Sequence, residues 1–153
     1  LDSIDCKLLE QLQHNADVQV ADLAAQVGLS QTSCWRRIQR LKESGVIMRN
    51  VALVDRHKAN VGVTVFVSVR TGSHSQKWFD NFRAAIEAIP EIVEFYRMAG
   101  DVDYLLRVVV PDIAAYDKVY KRLISGTQLL DVSSSFAMEE LKFTTALPLS
   151  YAN

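Results

Sequence analysis

The 153 residues are 49% hydrophobic and 23% charged, enough apolar content for one ordinary domain or two small ones with buried cores, and a globular rather than disordered composition. Seventeen basic against eighteen acidic side chains leave a formal net charge of −1, which argues against a chain that coats polyanions indiscriminately but permits local patches. The longest apolar run, Val61 to Val69, includes Thr64 and Ser68 and falls far short of the ~20 residues a membrane-spanning helix needs. With no targeting signal read, a cytoplasmic location and no membrane partner are expected.

Asp2 is placed to cap a first helix on which Leu1, Ile4, Leu8 and Leu12 recur at about one-turn spacing, with Asp5 as the acidic partner three positions on and Asn15 as the stop. A second helix is expected from Val20 to Gln26, with Leu23 and Val27 apolar and Ala24 and Ala25 small; Gln19 is a weak cap for it. Gly28 supplies the positive φ that a tight turn between crossed helices needs, and Ser30 can cap the next helix by accepting from the backbone near Ser33. Along that third helix Cys34, Ile38 and Leu41 form one apolar stripe, while Thr32, Arg36, Gln39 and Arg40 lie on the far side. Gly45 is a natural stop, and Val46 to Val54 has strand character.

Helix, small-residue helix, glycine turn and capped basic helix form a helix-turn-helix pattern, and the strand after it would make the motif winged. Between Gln31 and Asn50 the basic residues Arg36, Arg37, Arg40, Lys42 and Arg49 face Glu43 alone, whereas Glu87, Glu91, Glu94, Asp101, Asp103, Glu139 and Glu140 fall in the second half. The asymmetry suggests that one half touches polyanion, which for a helix-turn-helix is double-stranded DNA. The DNA-contacting set is expected to be Ser30, Gln31, Thr32, Ser33, Arg36, Arg37, Gln39, Arg40 and Arg49. A merely solvated face is the competing account of Arg36 and Arg40. Arg37, on the flank, suits a phosphate contact or an intramolecular ion pair equally, and Trp35 suits packing against a neighbouring helix better than stacking on DNA.

Past the polar stretch Asp55 to Asn60 the period changes to two, with Val61, Val63, Val65, Val67 and Val69 alternating. Ser75 caps a helix carrying Phe79, Phe82, Ile86 and Ile89 and ended by Pro90. Strands follow over Ile92 to Met98 and Tyr104 to Val110, joined by Ala99-Gly100-Asp101-Val102-Asp103. After Pro111 and Asp112 comes a helix with Ile113, Tyr116, Val119, Tyr120 and Leu123 inward, closed by Gly126, then a last strand from about Val132 to Phe143. The order is βαββαβ, a ferredoxin-like unit, so the fold class is α+β. Expected boundaries are 1–50 for the winged helix-turn-helix, 51–60 for a hinge, 61–143 for the βαββαβ domain and 144–153 for a tail. Helices cover one face of such a sheet; the other, assigned Phe66 and Phe95, needs cover that a second subunit can supply.

Cys6 and Cys34 sit in helical patterns and are expected to be reduced packing residues. His14, His57 and His74 lie far apart without metal-ligand spacing, and no nucleophile-base pair or phosphate-cradling glycine loop appears, so no metal, cofactor or enzyme activity is expected. A small amino-acid-processing enzyme on the sheet lacks an acid-base constellation, and an RNA-binding sheet wants exposed aromatics on its central strands together with the matching motif, which the valine-rich first strand and the RVVV after Tyr104 do not offer.

The segments VGLSQTSCWRRIQRLKESGVI, AGDVDYLL and MEELK together resemble the leucine-responsive regulatory protein and AsnC (Lrp/AsnC) family of transcription regulators, over essentially the whole chain. The resemblance implies an N-terminal module that binds a pseudo-palindromic operator and a C-terminal module that forms homodimers, assembles them into octamers or similar rings, and binds an amino-acid effector between dimers. It also implies that Gly100, Asp101, Asp103 and Tyr104 form the effector turn and that Ser134, Ser135, Phe136, Ala137 and Met138 form the strand facing it. Ser135 stands where the leucine-responsive member has tyrosine and Ala137 where it has valine, which argues against leucine as the effector. The chemistry fits: an amino acid needs an anion for its ammonium, backbone N–H groups for its carboxylate and an apolar wall for its side chain.

Overall fold

At the start of the chain the capping pair forms as the spacing requires: the Asp2 carboxylate accepts from the Asp5 backbone N–H at 2.8 Å, and Asp5 Oδ2 accepts from the Asp2 N–H at 3.1 Å. The computed structural model describes residues 1–152 and divides into two units, one of Leu1–Leu53 together with the segment from Leu141 onward, the other of Val54–Glu140.

In the first unit, α1 (Ser3–His14), α2 (Val20–Val27) and α3 (Gln31–Glu43) pack around Leu8, Leu23, Ala24, Cys34 and Ile38. Gln19 makes no side-chain cap at α2, and Gly28 ends that helix at φ 70°. Ser30 Oγ accepts from the Ser33 N–H at 3.2 Å, fixing the start of α3. Full burial of Leu8 and Leu23 contributes about 1.5–3 kcal/mol each. The strand expected over Val46–Val54 is not formed, so the wing is missing from the described residues. That segment carries β-forming residues, but Met48, Val51, Leu53 and Val54 are exposed and no second strand lies beside them to complete a ladder. The segment from Leu141 belongs here through Gln13, whose side chain donates to the Leu147 carbonyl at 3.2 Å and accepts from the Leu147 N–H at 2.6 Å.

The second unit opens on a turn over 55–60 in which Asp55 Oδ1 accepts from the His57 and Lys58 N–H groups. It continues as β1 (Val63–Arg70), α4 (Gln76–Glu87), β2 (Ile92–Arg97), β3 (Tyr104–Val110), α5 (Ile113–Ile124) and β4 (Asp131–Phe136). The sheet is antiparallel with order β2-β3-β1-β4. Val65, Val67 and Val69 of β1 and Tyr104, Leu106, Val108 and Val110 of β3 point into a core completed by Phe82 and Ile86 of α4 and Tyr116, Val119 and Leu123 of α5.

Three expectations are corrected. Phe95 pairs with Leu106 and packs edge-on against Phe82, so it faces the helices; an irregularity between Ile92 and Glu94 shifts the alternation and puts Tyr96 on the open face, with β3 between it and Phe66. Ile113, expected inward, is 70% exposed, because as the first residue of α5 it precedes the stripe of Tyr116, Val119 and Leu123. The last strand ends at Phe136 rather than Phe143.

Candidate functional site

Helix α3 buries Cys34, Ile38 and Leu41 and leaves Gln31, Thr32, Ser33, Trp35, Arg36 and Arg40 exposed, with Gln39 half-buried. Burial in the helical core pushes the Cys34 thiol pKa up. Ser30 Oγ donates to Ser33 Oγ at 3.0 Å, so the two hydroxyls at the helix N-terminus form one linked polar group beside the positive end of the helix dipole. Arg36 has no hydrogen bond or ion pair within the described residues. Trp35 is 53% exposed and, with Gln19, Val20, Ala21, Gln31 and Thr32, lines a shallow groove of about 400 Å³ at the first turn of α2. Arg49 lies outside α3, on the extended segment that follows it, among Lys42, Ile47, Met48 and Asn50.

The arginines on the flank are engaged. Arg37 Nη1 donates to Asp2 Oδ2 at 2.6 Å and to Asp5 Oδ1 at 2.9 Å, and Arg40 Nη2 donates to both Asp5 oxygens at 2.8 Å. Of the two accounts open for Arg37, the ion pair is therefore the one formed. The hydrogen bond from Arg37, with a smaller contribution from the Asp5 backbone, holds the Asp2 carboxyl at a pKa of about 2. Two acids three residues apart on α1 thus meet two arginines three residues apart on α3, which cancels part of the positive excess counted along the sequence. The matched spacing was the available signal, but it lay on separate helices.

In the second unit the expected effector turn is built from groups with different duties. The Asp103 backbone donates to the Val69 carbonyl and accepts from Met98, and its carboxylate accepts from the Thr71 N–H at 2.8 Å. Asp103 therefore fastens the turn to the end of β1. Tyr104 is 5% exposed, with its ring among Trp78, Phe79, Phe82 and Phe95. Asp101 is exposed and has no partner among the described residues, and Gly100 beside it takes φ 126°.

The strand expected to face this turn does not do so within one chain. Ser134 pairs with Val67 and Phe136 with Val65, and the Ala137 N–H donates to the Thr64 carbonyl. The turn sits beyond Val69, so along β1 it lies about 7 Å from the level of Ser134 and about 17 Å from that of Ala137 at the rise of an extended strand. Ser134 and Phe136 face the helices, where Tyr116 hydrogen-bonds Ser134 and meets Phe136 edge-on; Ser135 lies on the open face opposite Phe66, and Met138 is 96% exposed. Burial raises the Tyr116 pKa, opposed by its hydrogen bond to Ser134. On the open face Arg107 grips Glu94 through two contacts of 3.1 Å, Nη2 to Oε1 and Nε to Oε2.

A capped helix with a free polar face, set in a helix-turn-helix and continued into a separate βαββαβ unit, defines a two-module DNA-binding regulator. Among the described residues no helix is long and apolar enough to cross a membrane. Residues 1–42 match the AsnC-type helix-turn-helix domain, and residues 64–147 match the Lrp/AsnC ligand binding domain. The glutamate uptake regulatory protein of Zymomonas mobilis is 50% identical over 149 residues, covering 97% of this chain and 91% of that protein. A crystal structure of an AsnC family transcriptional regulator from Agrobacterium tumefaciens is 60% identical, with a TM-score of 0.96 over 99% of each chain. A transcriptional regulator of Neisseria meningitidis in complex with L-Met is 31% identical, with a TM-score of 0.94 over 100% of this chain and 99% of that one. This chain belongs to the Lrp/AsnC family and is a transcriptional regulator of that type.

Proposed function

We propose that this regulator reads operator DNA with the outer face of α3 in the major groove, and that an amino acid bound to the Val54–Glu140 unit tunes that contact. The observation that carries the DNA contact is the sidedness of α3: one stripe is buried while Thr32 and Arg36 on the other side are exposed. Ser30, Gln31, Thr32 and Ser33 meet the phosphate backbone and nearby base edges at the helix N-terminus, Arg36 and Gln39 reach base edges, and Arg40 and Arg49 meet flanking phosphates. Arg37 is assigned to its ion pairs instead.

For the effector, Asp101 supplies the anion for the ammonium, the backbone around Gly100 takes the carboxylate, and Ser134 to Met138 come from a second copy. Support for the second copy is that Phe136 and Ala137 lie toward the end of β1 away from the turn, with β1 itself between β3 and β4. Exposed Phe66 and Tyr96 on the open face favour a homodimer, and higher assemblies add further contacts. The methionine complex of the Neisseria relative supports an amino acid as the ligand class.

Thermal denaturation with each of the twenty amino acids tests the effector reading, since a ligand at 100 times its Kd stabilises the folded state by roughly 2.7 kcal/mol. Operator titration with and without the hit tests the coupling, which for an allosteric effector amounts to about 5–150-fold in affinity. No shift with any amino acid refutes the effector; a shift with unchanged operator affinity refutes the coupling.

A further inference from the structure

The Asp5 carboxylate is 3% exposed and accepts from the Asp2 N–H, from Arg37 Nη1 and, with both oxygens, from Arg40 Nη2. Arg40 itself is 59% exposed, and its other two nitrogens, Nη1 and Nε, have no partner among the described residues. One terminal nitrogen is spent on a buried anion, and two further donor groups are left over on a planar group whose rotation the anion restrains.

We infer that Asp5 is a positioning residue for DNA binding, fixing the Arg40 guanidinium from behind so that its free N–H groups meet a phosphate without first being ordered. The inference rests on the assignment of Arg40 to a DNA phosphate. Arginine is the residue this role needs. Its planar fork can span two anions at once, one of them Asp5 and the other a phosphate, whereas a lysine ammonium is a compact point charge on a flexible stem. Asp5 is suited to its part because its own position is fixed twice, by the cap of α1 and by Arg37, so that a rigid helix end and not a loop carries the restraint. Arg37 braces the anion from the other side, with its side chain only 25% exposed.

Ordering a long side chain in advance corresponds to about three- to tenfold in affinity. The competing account has the carboxylate drawing Arg40 away from DNA, and it predicts the opposite sign when the acid is neutralised.

The test is operator affinity and its salt dependence for the full-length protein carrying Arg40→Lys, Arg40→Ala, Asp5→Asn, and Asp5→Asn with Arg40→Ala. The expected result is that Arg40→Lys loses about as much affinity as Arg40→Ala although it keeps the charge, that Asp5→Asn weakens binding by about three- to tenfold, and that Asp5→Asn has no further effect once Arg40 is alanine. Full affinity in Arg40→Lys, tighter binding in Asp5→Asn, or an additive loss in the double variant overturns the inference. Unchanged affinity in Arg40→Ala instead removes Arg40 from the DNA interface, a failure of the underlying assignment. Arg40 is exposed, so full affinity in Arg40→Lys overturns the inference even where Asp5→Asn does not fold.

Discussion

Arg36 and Arg37 are neighbours in sequence with opposite partners in the structure, and alanine at each should therefore fail in different assays. Arg36 is exposed and touches no other side chain through a polar contact, so Arg36→Ala should leave stability within about 0.5 kcal/mol. If it makes a bidentate base contact, operator binding should weaken by about 1–3 kcal/mol, with discrimination lost at one base position and the salt slope kept. Arg37→Ala removes a bond of 2.9 Å to buried Asp5 and one of 2.6 Å to Asp2. Asp5 keeps Arg40 at 2.8 Å and is not orphaned, so the loss is that of one charged hydrogen bond, about 1.5–3 kcal/mol. The Asp2 pair, half exposed, is screened by solvent and adds little. A unit of this size holds roughly 3–10 kcal/mol in all, so Arg37→Ala should visibly lower its melting transition. Urea denaturation and operator titration of both variants check the pair. A destabilised Arg36→Ala, or an Arg37→Ala as stable as the parent, would refute the division of labour on α3.

Asp2 should titrate with a midpoint near 2 by carboxyl-carbon NMR, returning toward 3.8 in Arg37→Ala. Because its folded pKa is the lower one, its stabilising effect is complete above the unfolded value of 3.8 and is lost as pH falls through about 2; a midpoint near 3.8 in the parent would mean the Arg37 bond does not persist in solution. Asp101→Ala should leave the melting temperature of the unliganded protein unchanged and abolish the amino-acid-induced shift. Asp103→Ala should cost about 1–3 kcal/mol without ligand, since the buried Thr71 N–H loses its acceptor; equal behaviour of the two variants would contradict the distinction drawn between them. Phe82→Ala, at a ring in contact with Trp78, Phe95 and Tyr104, should destabilise by about 3–5 kcal/mol in chemical denaturation.

Local rules carried the sequence a long way here. Asp2, Ser30 and Ser75 each form the cap their positions suggest, and Gly28 and Gly45 take positive φ at helix ends. These depend on a few consecutive residues, and so does the apolar stripe of α3. Errors arose wherever a second element decides. Phe95 changed face because an irregularity at Ile92/Glu94 breaks a period-two count. The segment Val46–Val54 has strand composition, but a strand needs a neighbour that no local pattern supplies. The pairing of Asp2 and Asp5 with Arg37 and Arg40 links positions some 35 apart, invisible to a running sum of charge. Likewise the two effector segments look adjacent once aligned to a family pattern, yet β1 lies between β3 and β4, and the antiparallel register carries Phe136 and Ala137 toward the end of β1 away from the turn.

The hydrogen bonds between Gln13 and Leu147 bear on how this polypeptide can be cut and recombined. Because the segment from Leu141 is grouped with Leu1–Leu53, the DNA-binding unit is interrupted, and residues 54–140 are an insertion within it. A fragment ending at Leu53 would lack part of its own structure. A chimera that borrows another sensing module should instead receive it as a cassette with two junctions, one after Leu53 and one before Leu141, leaving Gln13 its native partner.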